Sequence, residues 1–131
     1  ISHVIPALIK RFLLAKKNMK KTVEVWGSGN PKREFLFADD CASAIYFIMK
    51  RDLKIDLVNI GSDKDISIKE LAQTIKKIIN YNGKILFNRS IPDGVLRKKL
   101  DISKLKNLGW KPSVKLQDGI KRVVDEISKT I

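Results

Sequence analysis

The chain has 131 residues, 44% of them hydrophobic, enough for one packed domain and too many for a disordered tail. No apolar run is long enough to span a bilayer and no secretory-signal pattern is present, so a cytoplasmic protein without a membrane partner is expected. The net charge of +13 raises a nucleic-acid partner, but its lysines (Lys10, Lys17, Lys69, Lys76, Lys77, Lys121 and Lys129 among them) are scattered and no segment interleaves aromatic with basic residues. The reading is therefore a solvated basic surface, part of which sets a positive field around an anionic small ligand.

In chain order, Ile5, Leu8, Ile9, Phe12 and Leu13 recur at helical spacing, with Pro6 in the first turn and Asn18 with Lys20-Lys21 at the end. The chain opens inside this helix without an initiator Met, which reads as a fragment. Thr22 to Trp26 predicts a strand, and Glu34 to Phe37 a second short one after a glycine turn. Asp39-Asp40 is read as the N-cap of a helix whose packed face is Ala42, Ile45, Tyr46 and Met49. Cys41, the single cysteine, has no disulfide partner and no metal-ligand cluster beside it, and is expected to be a small buried hydrophobe.

Leu57 to Gly61 has the profile of a buried strand. Ser67-Ile68-Lys69-Glu70 is a capping box, with Ile66 and Leu71 as its hydrophobic staple. The helix it starts carries Ile68, Leu71, Ala72, Ile75, Ile78 and Ile79 on one face, and Asn82-Gly83 turns the chain into a strand from Lys84 to Phe87. Ser103 is read as the cap of a short helix stopped by Gly109, and Leu116, Ile120, Val123, Val124 and Ile127 mark a closing helix.

The chemistry concentrates in Val25 to Leu36, where Trp26 and Arg33 flank Gly27-Ser28-Gly29. Glycines let a backbone approach a ligand closely, a guanidinium holds a phosphate bidentately and an indole offers a stacking face. The competing reading is an ordinary hairpin with its Trp in the core and its Arg in water. No dinucleotide fingerprint, P-loop or Gly-x-Ser-x-Gly elbow is present, and His3 is the only histidine. Tyr46 and Lys50 have the spacing of a Tyr-x-x-x-Lys pair, but within a helix, and are read as coincidence.

The runs Ser2-His3-Val4-Ile5-Pro6-Ala7-Leu8-Ile9, Val25 to Gly29 with Pro31 and Arg33 to Leu36, and Pro92-Asp93-Gly94 with Arg97-Lys98 resemble the GDP-L-fucose synthases. Asn59-Ile60-Gly61, the Ser67 to Leu71 start, Asp101 to Lys104 and Leu108-Gly109-Trp110 with Pro112 resemble nucleotide-sugar epimerases and dehydratases generally, a branch of the extended short-chain dehydrogenase/reductases. The resemblance runs from end to end. It implies an α/β fold that is the C-terminal substrate-binding part of such an enzyme, one domain over residues 1–131, with the N-terminal Rossmann half absent.

The function implied is epimerisation of GDP-4-keto-6-deoxy-D-mannose at carbons 3 and 5 and reduction at carbon 4 by NADPH. NADP(H) is then bound mainly by the missing half, and the whole enzyme is expected to be a homodimer. By resemblance, His3 is the catalytic acid and lies near the nicotinamide, a role that suits a group titrating near neutrality. Arg11, Trp26, Arg33, Asp93 and Lys98 match substrate-binding residues, the arginines facing the diphosphate.

Against these stand the plain readings of Arg11 and Lys98 as surface charges and Asp93 as a turn former. The family's Tyr-Lys pair and its cysteine base lie in the absent part, and Cys41 does not match that cysteine. The chain alone is accordingly expected to be inactive. A non-catalytic nucleotide-sugar-binding module, or part of another NDP-sugar epimerase/dehydratase, is the alternative.

Overall fold

The computed structural model describes residues 3–51, 54 and 57–131; Ile1 and Ser2, which open the His3 run, lie outside them. Helix α1 (Val4–Lys17) leads into strand β1 (Thr22–Trp26), whose side chains alternate between core and solvent: Val23 and Val25 are buried, while Thr22, Glu24 and Trp26 face water. Strand β1 pairs in parallel with β4 (Lys84–Asn88), Val25 lying opposite Phe87 and Trp26 opposite Asn88. Such a parallel pair needs a long crossover, and α3 (Ile68–Ile79) lies within it.

The strand after the glycine turn, β2 (Lys32–Glu34), pairs elsewhere. It is the centre of a separate three-stranded sheet, antiparallel to β3 (Asp65–Ser67) and parallel to β5 (Arg97–Lys98). The turn is thus not a hairpin: it carries the chain from one sheet to the other. The strand expected over Glu34 to Phe37 starts two residues earlier and ends at Glu34, because only Lys32, Arg33 and Glu34 have partners to pair with. The buried strand expected at Leu57 to Gly61 is not formed; Val58 and Ile60 instead pack irregularly against the second core.

Leu8, Ile9, Phe12 and Ala15 of α1, Leu71, Ala72, Ile75 and Ile79 of α3, and Ile120 and Val124 of α5 (Leu116–Ser128) meet the two buried valines of β1 in one core. Tyr81 closes it, its ring edge-on to Phe12 at 5.5 Å and its hydroxyl donating to the Lys20 carbonyl at 2.8 Å, so that the polar tip is satisfied. The capping box forms as expected: the Glu70 amide donates to Ser67 Oγ at 3.1 Å and the Ser67 amide to Glu70 Oε2 at 3.0 Å. Asn80 ends α3 in the left-handed conformation at φ 54°, a conformation Asn tolerates.

A second, smaller core joins Ala44 of α2 (Ala38–Met49), Leu105 of α4 (Ser103–Asn107) and Trp110. Three expectations are corrected here. Phe37, not Asp39 or Asp40, is the N-cap of α2, which places both carboxylates inside the first turn. The face of α2 that packs is Asp40, Ala44, Phe47 and Ile48, leaving Ala42, Ile45, Tyr46 and Met49 exposed. Ser103 is the first residue of α4 rather than its cap: the Asp101 carboxylate accepts the Ser103 amide at 2.9 Å.

Cys41 is half-buried rather than buried. Among the described residues, no helix is long and apolar enough to cross a membrane and no cluster of His, Cys, Asp or Glu is built to hold a metal ion.

Candidate functional site

The glycine turn and the segment after β4 meet at the C-terminal ends of β1 and β4. Gly27 and Gly29 have φ of 83° and 82°, left-handed values that other residues adopt only with strain. A Cβ on Gly27 would also collide with the Asp93 carboxylate. That carboxylate accepts the Ser28 amide on Oδ1 at 2.8 Å and the Ser28 hydroxyl on Oδ2 at 2.6 Å, so residues 65 positions apart clasp each other. The Ser28 hydroxyl, and then its amide, hold the Asp93 carboxyl below its ordinary range and keep it ionised.

Two carbonyls of the turn and the segment after it are directed at the neighbouring helix. The Gly29 and Pro31 carbonyls accept the Lys69 and Ile68 amides at 2.9 and 3.0 Å, and Ser67 takes the Glu70 amide. The first N–H groups of α3 are therefore already partnered, and an anion at this end of the molecule must look to side-chain cations.

Those cations are present. Arg33 sits at the middle of β2 in register with Lys98 of β5, one of its guanidinium nitrogens donates to the Lys32 carbonyl at 2.7 Å, and another reaches the space beside Gly94. Next to the turn, the Arg11 guanidinium lies 4.2 Å from the Trp26 ring centroid and donates to the Glu24 carbonyl at 3.2 Å. Trp26 remains 58% exposed, which removes the reading of a core tryptophan and leaves its flat face open to a ligand. Arg11, Leu14, Lys20, Thr22, Glu24 and Trp26 line a shallow groove of about 360 Å³.

Five of the six sequence-predicted residues thus border the turn or the segment facing it: Arg11 and Trp26 on one side, Arg33, Asp93 and Lys98 on the other. His3 lies elsewhere. It stands at the N-cap of α1, its carbonyl accepting the Ala7 amide at 3.0 Å, and lines a groove of about 530 Å³ with Pro6, Glu34, Phe35, Phe37 and Val123. Alternation along β2 explains the division, since Arg33 and Glu34 project to opposite faces.

Two residues of this region were not legible in advance. Ser28 looked like filler between glycines, and its partner 65 residues away leaves no local signal. Glu34 accepts the Asp63 amide at 2.7 Å, the Leu100 amide at 2.8 Å and the Ser62 hydroxyl at 3.4 Å, and so fixes the chain on both sides of β2. Arg97 adds a bond from its Nε to the Asp65 carboxylate at 2.5 Å, tying β5 to β3 across β2. None of these groups forms a dinucleotide cradle: the glycine turn leads into a strand rather than a helix, and Asp93 fills the space in front of it.

Residues 1–61 match the NAD dependent epimerase/dehydratase family. The chain is similar to GDP-L-fucose synthase 1 of Arabidopsis thaliana, at 45% identity over 130 residues that cover 99% of this chain and 40% of that protein. Among solved structures it is similar to a GDP-mannoheptose C4 reductase from Campylobacter jejuni with NADP bound, at 38% identity and a TM-score of 0.83 over 98% of this chain and 45% of that one. A GDP-L-fucose synthetase from Naegleria fowleri bound to NADP aligns with a TM-score of 0.89 at 27% identity, over 98% of this chain and 41% of that one. The chain therefore spans about 40% of the length of the curated relatives it matches, consistent with their C-terminal part.

Proposed function

We propose that this chain is the nucleotide-sugar-binding part of a GDP-L-fucose synthase, the enzyme that epimerises GDP-4-keto-6-deoxy-D-mannose at carbons 3 and 5 and reduces carbon 4 with NADPH. The observation that carries the reading is the arrangement around the clasped turn: an exposed indole with a guanidinium against it on one side, Arg33 and Lys98 in register on the other. Planar cations recognise a diphosphate and the indole covers an aromatic or sugar face, which together describe a nucleotide sugar.

In this reading Arg11, Trp26, Arg33, Asp93 and Lys98 bind the substrate. His3 protonates the sugar from the adjoining groove and faces the nicotinamide. NADP(H), which supplies the hydride, is held mainly by chain that the relatives carry beyond the matched stretch, with His3 as this chain's contact to it. The 131 residues alone turn over no NADPH. The assembled protein is cytoplasmic and homodimeric, and takes a GDP-sugar rather than a nucleic acid.

The similarity to a GDP-mannoheptose reductase supports a second reading, another GDP-sugar reductase or epimerase, in which the same groups meet the same GDP. Calorimetric titration with GDP tests what both share. Wild type binds, and Arg33→Ala and Trp26→Ala each weaken binding about tenfold or more, the size expected for losing a charge-assisted contact or an aromatic anchor. Unchanged affinity in both variants overturns the assignment. Turnover of GDP-4-keto-6-deoxy-D-mannose against the heptose substrate then separates the two readings.

A further inference from the structure

The connection from α3 to β4 lies at the end of the β1–β4 pair opposite Trp26, where Thr22 faces Lys84, and takes no part in the site described above. Two of its residues are anchored: Tyr81 by the core and by the bond from its hydroxyl to the Lys20 carbonyl, Lys84 by its amide, which donates to the Lys21 carbonyl at 2.8 Å. Between them stand Asn82 and Gly83. Asn82 is exposed, and among the described residues no hydrogen bond engages its side chain or the Gly83 amide.

Packing dictates glycine at position 83. A Cβ there would overlap the Tyr81 hydroxyl and the Lys21 carbonyl. The same lack of a side chain leaves the Gly83 nitrogen unhindered, five-membered-ring distance from the Asn82 carboxamide carbon. Attack by that nitrogen, once deprotonated, forms an N–Cγ bond and closes a succinimide; the Asn82 amino group leaves as ammonia. Water then opens the ring at either carbonyl, giving aspartate or its β-linked isomer. Negative charge develops on the attacking nitrogen and then on the Cγ oxygen. The groove of about 660 Å³ that Asn82 and Gly83 line also holds Lys16, Lys20, Lys21 and Lys84 and has no acidic residue in its wall, so its field favours both anions.

The other asparagines lack this combination. Asn30 precedes Pro31, which has no N–H to lose. The amides that follow Asn18, Asn80 and Asn107 are bonded, to the carbonyls of Lys16, Lys76 and Lys104. The Asn59 side chain donates to the Asp101 carbonyl and is followed by the β-branched Ile60, and Asn88 Oδ1 is held by the Ser90 amide and hydroxyl.

We propose that Asn82-Gly83 is a site of spontaneous covalent modification in the folded protein, deamidating through a succinimide with the surrounding lysines assisting. The product puts a carboxylate among those lysines. Its β-linked form also lengthens the backbone by one carbon immediately before β4, where the Lys84 amide meets the Lys21 carbonyl. This reactivity needs no ligand and no cofactor.

The full-length protein is incubated at pH 8 and 37 °C, native and in denaturant, and its peptides are followed by mass for the gain of about 1 Da that replacing ammonia by water brings. The peptide holding Asn82 gains it about tenfold or more faster than any other asparagine peptide, and the native rate stays within about tenfold of the unfolded one, as for a turn that opens at little cost. Lys21→Gln with Lys84→Gln slows the reaction about threefold at low salt, and added salt narrows that difference. Asn82→Ser, at an exposed position, abolishes the gain in that peptide and leaves folding intact. A native rate more than tenfold below the unfolded one, or an asparagine elsewhere that reacts faster, overturns the site. A lysine double variant as fast as wild type at low salt overturns the assistance.

Discussion

The core around Phe12 draws side chains from α1, β1, α3 and α5, whereas the smaller core around Trp110 takes one face of α2 and leaves Ile45, Tyr46 and Met49 of that helix facing water. The difference lies in how the helices are written. In α3, polar residues occupy one side and Leu71, Ala72, Ile75 and Ile79 the other, so a single face can be buried. In α2, apolar residues follow one another from Cys41 to Met49 apart from Ser43, and periodicity does not choose between the two faces. Buried polar groups decide instead. Asp40 has to reach the Ser113 and Val114 amides at 3.0 and 2.9 Å, and Trp110 Nε1 the Ser43 hydroxyl at 3.2 Å, which turns Ala44, Phe47 and Ile48 inward.

Substitutions sharpen this contrast. The largest effect is expected at Phe12, which is fully buried and edge-on to Tyr81: Phe12→Ala costs roughly 3–5 kcal/mol in chemical denaturation, through lost transfer energy and the cavity left behind. In the second core the strongest dependence is polar. Asp40→Ala strands two amides and a hydroxyl and costs about 1–3 kcal/mol.

Asp40 also gives the second core its own pH dependence. Burial pushes its carboxyl up, but the hydrogen bonds from the Ser113 and Val114 amides and the Ser113 hydroxyl outweigh burial and hold it below its ordinary value. A carboxyl lowered in the folded state contributes stability that is complete above its unfolded pKa and is lost as pH falls through the folded one. Stability of the wild type therefore falls more steeply on the acid side of about pH 4 than that of Asp40→Asn; parallel acid limbs would break the account.

Smaller effects follow at the surface. Ser67→Ala removes the capping box and costs about 1 kcal/mol, all of it at the start of α3. Tyr46→Ala and Met49→Ala, on the outer face of α2, change stability by less than about 0.5 kcal/mol in this chain. A loss of 2 kcal/mol or more at either would show that their face is covered, and would remove the contrast between the cores.

What could be read in advance divides along the same line. The α1, α3 and α5 helices, strand β1 and the Ser67 box follow from spacing and capping chemistry, which act over four residues or fewer. The pairing of β1 with β4 rather than β2, the failure of Leu57 to Gly61 to form a strand, and the role of Asp40 depend on partners tens of residues away. The candidate site shows the same limit. Trp26, Arg33 and the glycines between them announce themselves as a group, while the Ser28–Asp93 clasp and the Glu34 contacts leave no trace in local composition because each joins distant loops.

On the proposed function, the glycine turn and the segment facing it form two walls of a GDP-sugar site. A crystal structure with GDP bound tests it most directly. The account predicts diphosphate oxygens within hydrogen-bond distance of the Arg33 guanidinium, with the Trp26 ring against the ligand. GDP held instead at the lysine-rich far end of β1 and β4, around Lys16, Lys20, Lys21 and Lys84, with Arg33 and Trp26 untouched, would contradict it.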